Sequence, residues 1–144
     1  METYKQMSAR HQKEIDKLPI GFAFSNKQFE EMMSKWGLKP TDTDKIYKLG
    51  STGGFYQKKD SDLIKSTMQK HSAEMQAAID SDETGDGFIY EMFVCELFNH
   101  EYSYTGDPED AVNRCGYELD EVCSDPKMKH ALEKACKYVM ANSY

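Results

Sequence analysis

The sequence predicts a mostly helical α+β protein, a single domain over residues 1–144 with about five to six helices and a small antiparallel β-sheet. Three observations predict it. Apolar residues recur at steps of three and four through most of the chain, the period of a helix buried along one side. Short apolar and aromatic runs interrupt that period, and two of them flank the Gly-rich stretch Gly50-Ser-Thr-Gly-Gly54. Finally, 144 residues with 39% hydrophobic and 30% charged side chains suffice for one folded core. No linker, low-complexity run or repeat divides them.

Tyr4, Met7, His11 and Ile15 share one helix face, and Pro19 ends that helix. Ile20-Gly-Phe-Ala-Phe24 reads as a buried strand. Ser25 with Gln28 forms a capping box for a helix whose face is Phe29, Met32, Met33 and Trp36, with Gly37 as its stop. Lys45–Leu49 and Phe55–Gln57 make a hairpin around the Gly-rich loop, and pairing with residues 20–24 completes a three-stranded antiparallel sheet. Asp60 caps the next helix, whose face runs Ile64, Met68, His71, Met75, Ala78 and Ile79. Phe88–Glu101 is apolar nearly all round, with Glu91, Glu96 and His100 as its polar exceptions, and is read as the central core helix. Asp107-Pro108 and Asp125-Pro126 each place a cap and a proline at a helix start. A short helix lies between them around Leu119–Cys123.

Charge is segregated along the chain. Residues 80–126 hold 14 Asp and Glu against the single base Arg114, a net charge of −13. Residues 1–79 and 127–144 each carry +3, and the whole chain −7. Seven aromatic residues lie inside the acidic stretch, among them Tyr102, Tyr104 and Tyr117. Such a field repels phosphates, so nucleic acid is excluded as a direct ligand. No run approaches a membrane span, and residues 1–17 have no apolar core of the signal-peptide kind, so a cytoplasmic location without membrane contact is expected. The four cysteines contain no CxxC pair and are read as reduced thiols.

Chemistry-bearing patterns are sparse. Asp80-Ser-Asp82-Glu-Thr84-Gly85-Asp86-Gly-Phe-Ile-Tyr-Glu91 resembles the calcium loop of an EF-hand. In that resemblance Asp80, Asp82, Thr84, Asp86 and Glu91 are the candidate ligands and Gly85 makes the sharp turn. Thr84 stands where Asp or Asn is usual, and Gly87 where an apolar residue pairs with a second loop. The alternative is a solvated acidic turn. Calcium is therefore the one cofactor the sequence brings into question; otherwise none is expected. His71/Glu74 and His130/Glu133 have the spacing of helix-surface pairs, and His100 reads as a core histidine. Gly50–Gly54 lacks a phosphate-loop spacing, and no nucleophile motif occurs, so no catalytic residue is assigned.

Phe22-Ala-Phe-Ser-Asn-Lys-Gln-Phe-Glu-Glu31, Thr84-Gly-Asp-Gly-Phe-Ile-Tyr90, Asn99-His-Glu-Tyr102 and Tyr104-Thr-Gly-Asp107 together resemble an uncharacterised family of small proteins from bacteriophages and gut-bacterial mobile elements. That resemblance implies a counter-defence factor of the anti-CRISPR kind, working in a bacterial host cytoplasm, and it brings no site residues. The expectation is a stoichiometric inhibitor of a host protein with a basic nucleic-acid-binding surface. Its contact residues are Asp82, Glu83, Asp86, Tyr102, Tyr104, Asp107, Glu109 and Asp110. Closely spaced carboxylates imitate phosphates, and tyrosines anchor interfaces.

Overall fold

The computed structural model describes residues 2–143. Eleven α-helices and strands follow in the order α1 (Tyr4–Asp16), β1 (Ile20–Phe22), α2 (Asn26–Lys35), β2 (Ile46–Leu49), β3 (Gly54–Gln57), α3 (Ser61–Ser81), α4 (Phe88–Asn99), α5 (Tyr102–Thr105), α6 (Glu109–Arg114), α7 (Leu119–Ser124) and α8 (Pro126–Ala141). This is the expected mostly helical α+β class with one small antiparallel sheet. Eight helices are found among the described residues against the expected five to six, and three of them, α5, α6 and α7, are only four to six residues long. Two compact units can be distinguished, one formed by the chain up to Arg10 and from Ala73 onward, the other by His11–Ser72.

In the unit of residues 11–72 the sheet order is β1-β3-β2, all antiparallel, with Ile20 opposite Tyr56 and Ile46 opposite Gln57. Ser25 caps α2 by accepting from the Gln28 N–H, while Gln28 Oε1 reaches back to the Phe24 N–H at 2.8 Å. That second bond lands one residue earlier than a standard capping box and ties β1's exit to the helix. Met32, Met33 and Ile46 form the buried centre, walled by Phe29, Trp36 and Phe55. Asp60 closes a 3-10 turn, Lys58–Asp60, that runs straight into α3. His71 does not sit on a helix surface with Glu74. It is buried, stacked on His11 at 3.8 Å between ring centroids, and bonded through Nε2 to Glu14 at 2.5 Å. Glu74 pairs instead with Arg10.

The other unit is built around α4. Ile89, Met92, Phe93 and Leu97 of α4 are fully buried, together with Val112 of α6, Val122 of α7 and Val139 of α8. Ala131 and Ala135, also fully buried, let α8 approach the bulky α4 face closely. Asp125 caps α8 by accepting from the Lys127 and Met128 N–H groups, as the Asp-Pro pair predicts. Glu118 and Glu121 form a reciprocal capping box that starts α7. Glu101 adopts left-handed backbone, φ 55°, to turn the chain from α4 into α5, a conformation that costs a non-glycine residue roughly 1 kcal/mol.

Candidate functional site

The acidic turn between α3 and α4 is organised by Asp82. Its Oδ1 accepts from the Gly85 N–H at 3.1 Å, and its Oδ2 from the N–H groups of Gly87 at 3.2 Å and Ile89 at 3.0 Å. Asp82 thus caps the positive end of α4. The remaining EF-hand-like positions turn to separate partners. Asp80 accepts from the Gln76 side chain at 2.9 Å, Thr84 Oγ1 from the Asp86 N–H at 3.1 Å, and Glu91 from the Lys5 N–H at 3.3 Å. Asp86 Oδ1 binds His130 Nε2 at 2.7 Å and Lys134 Nζ at 3.1 Å, which hold its carboxyl below the usual range, His130 contributing most. His130 therefore faces Asp86, and Glu133 meets Lys129 at 3.9 Å instead. Among the described residues no group of three or more His, Cys, Asp or Glu is arranged to hold a metal ion.

Two outcomes follow for melting experiments. Calcium is expected to leave the melting temperature unchanged, because among the described residues the candidate ligands turn to separate partners and do not converge on one point. Asp82→Ala costs about 2 kcal/mol, seen as a fall of roughly 4–8 °C in Tm, while Asp82→Asn retains part of the cap and loses less.

The structure divides the expected partner-contact residues into two groups. Asp82 and Asp86 are engaged as described. Tyr102 is half-buried against the core around α4, and its hydroxyl donates to Cys136, which with burial pushes the phenol up to about 12. The others lie at the surface. Tyr104 is 81% exposed, and Glu83, Asp107, Glu109 and Asp110 are exposed as well, as is Glu101, which is not among the expected contacts. Asp107 lends one oxygen to cap α6, accepting from the Glu109 N–H at 2.9 Å. Among the described residues none of these five carboxylates makes an ion pair. The unit that carries them holds 17 Asp and Glu against seven Lys and Arg, a net charge of −10, and the other unit nets +3.

A second feature was not visible in the sequence. Within the same unit a groove of about 660 Å³ runs between α1, α4 and α8, lined by Tyr4, Lys5, Tyr90, Glu91, Glu96, Phe98 and Tyr138 among others. Glu96, only 6% exposed, accepts from the Tyr4 hydroxyl at 2.7 Å through Oε1. Burial, and next the Glu96 bond, raise the Tyr4 phenol well above its ordinary value, so it stays a donor. His100 Nδ1 lies 2.9 Å from the Glu96 carbonyl oxygen and 3.8 Å from Oε2. Tyr138 meets Tyr90 and Phe98 edge to face, at 6.3 and 6.4 Å. Cys95, also in the groove, has its thiol pushed up by burial and is a poor nucleophile. Periodicity read Glu96 as a polar exception on a core helix; its partner Tyr4 stands 92 residues away.

A family model described as a family of unknown function, DUF7659, matches residues 3–138. No curated protein and no solved structure matches the chain.

Proposed function

Starting from the DUF7659 family of unknown function, to which the chain belongs, we propose that it acts by stoichiometric protein binding. The surface of α5 and α6 covers the basic, nucleic-acid-binding surface of a partner and blocks it. The observation that carries this reading is Tyr104, 81% exposed and neighboured in sequence by the exposed carboxylates of Glu101, Asp107, Glu109 and Asp110, which make no ion pair among the described residues. A large exposed tyrosine costs little conformational entropy to immobilise and is a common interface anchor. Carboxylates around it supply long-range attraction to a basic surface and repel nucleic acid from the same place. In the setting implied by the resemblance to phage and mobile-element proteins, the partner is a bacterial effector nuclease and the chain an anti-CRISPR-like inhibitor.

The reading is tested by capture from bacterial lysate on the immobilised chain at low and high salt, with and without competing duplex DNA. A basic nucleic-acid-binding protein, retained at low salt and displaced by salt and by DNA, supports it. Capture that is indifferent to both contradicts it.

A further inference from the structure

We infer that the groove between α1, α4 and α8 receives one basic side chain, lysine or arginine, of the partner protein, its cationic head lying against Glu96 and Glu91 and its stem against Tyr138 and Phe98. The assignment rests on the protein-binding reading above and gives it a specific anchor point.

The argument begins with the carboxylate of Glu96. It is nine-tenths buried, yet its hydrogen-bond donor is the neutral hydroxyl of Tyr4 rather than a lysine or arginine. A buried charge without a partner of opposite sign is costly. The nearest candidate, His100, places Nδ1 against the backbone carbonyl of Glu96 and leaves Oε2 at 3.8 Å, beyond hydrogen-bonding reach. Glu91 adds a second carboxylate to the lining. The groove is also rimmed by aromatic rings, whose negative faces attract cations. One of these rings already does so within the chain: Lys134 Nζ lies 4.7 Å from the centroid of Tyr90. Phe98 and Tyr138, each 45% exposed, remain open to an incoming group.

The occupant follows from charge and size. Glu91 and Glu96 outnumber Lys5, the one basic residue in the lining among the described residues, so an anion is disfavoured. A volume of about 660 Å³ takes a side chain with its flanking backbone and lies within the range of small-ligand clefts. The two carboxylates exclude a purely apolar stem without a cationic head, because it would bury Glu96 further with nothing in exchange.

The test uses aromatic-region NMR of the full chain with four probes: the acetylated methylamides of lysine, arginine and norleucine, and spermidine. The lysine or arginine probe is expected to shift the Phe98 and Tyr138 ring signals saturably, and the neutral norleucine probe not to. Glu96→Gln weakens the cationic probe about tenfold, Lys5→Gln strengthens it a few-fold, and Tyr138→Ala, an exposed change with little risk to folding, abolishes it. Equal binding of norleucine, no ring shift, or indifference to both charge variants overturns the assignment. Spermidine binding far tighter than either amino-acid probe also overturns it, in favour of a free polyamine. Failure here with salt-sensitive capture intact removes the groove assignment alone. Probe binding without any captured partner removes the protein occupant and the protein-binding reading together.

Discussion

Gly85→Ala is expected to lower the melting temperature by about 10 °C, from a loss of about 3 kcal/mol. Two costs combine at this position. Gly85 has φ +84°, a left-handed conformation, and a Cβ there would lie 2.7 Å from the backbone oxygen of Lys127 and 3.3 Å from the Cβ of Ala131. Those atoms belong to the first turns of α8, which cannot withdraw freely: Asp125 caps that end, and Lys127 Nζ donates to the Ile79 carbonyl at 3.2 Å. Gly106→Ala supplies the comparison. Gly106 has φ +68° but nothing within 4 Å of an added Cβ, so it carries the conformational cost alone, about 1 kcal/mol. Calorimetry on the two variants separates strain from collision. Equal losses would show that the turn does not pack against α8 as described.

Replacing Tyr104 with Ala, Asp107 and Asp110 with Asn, and Glu109 with Gln in one variant is expected to weaken partner binding about 100-fold. Truncating a tyrosine anchor removes about 2 kcal/mol. Neutralising three carboxylates removes about 1 kcal/mol more, expressed chiefly in the association rate. The fold should survive. Tyr104 packs on nothing in the core, and Asp107→Asn keeps an oxygen for the Glu109 N–H. Loss of the acids at the start of α6 costs a few tenths of a kcal/mol, which relief of repulsion among like charges offsets in part. Binding by surface plasmon resonance and melting by circular dichroism read the two effects separately. A fall in Tm comparable to that of Gly85→Ala would make these residues structural.

Much of the architecture was legible because single residues fix it locally. Ser25 and Gln28 mark the start of α2, Asp125 and Pro126 that of α8, and the Gly50–Gly54 stretch separates the two strands of the hairpin. The nearly all-round apolar character of Phe88–Glu101 marks the central helix, which the structure ends slightly earlier, as α4 over Phe88–Asn99. The illegible parts depend on contacts distant in sequence or on unusual backbone. The single turn of α5 hangs on left-handed Glu101, a conformation no side-chain period reports. The short helix expected around Leu119–Cys123 is α7, Leu119–Ser124, but its cap, Glu118, lies outside the usual capping set. His71 found Glu14 and His11 across 57 and 60 positions rather than its neighbour Glu74. The acidic turn carried the spacing of a calcium loop, but the same spacing lets Asp82 hold the N–H groups of Gly85 in the turn, Gly87 at the N-cap and Ile89 in the first turn of α4. Of the expected contact residues, Tyr104, Glu83, Asp107, Glu109 and Asp110 are exposed, whereas Asp82 and Asp86 serve the fold, Asp86 through the sequence-distant His130 and Lys134. The groove escaped because Glu96 and Tyr4 are brought together only by the packing of α1 on α4.

The most direct test of the central claim is the dependence of partner affinity on salt, measured for the native chain and for the variant lacking Tyr104 and the three acids. If the α5–α6 surface substitutes for phosphates, log Kd rises steeply with log salt concentration for the native chain, and the slope flattens in the variant. A native slope near zero, or a slope unchanged by the variant, would contradict binding through this acidic surface.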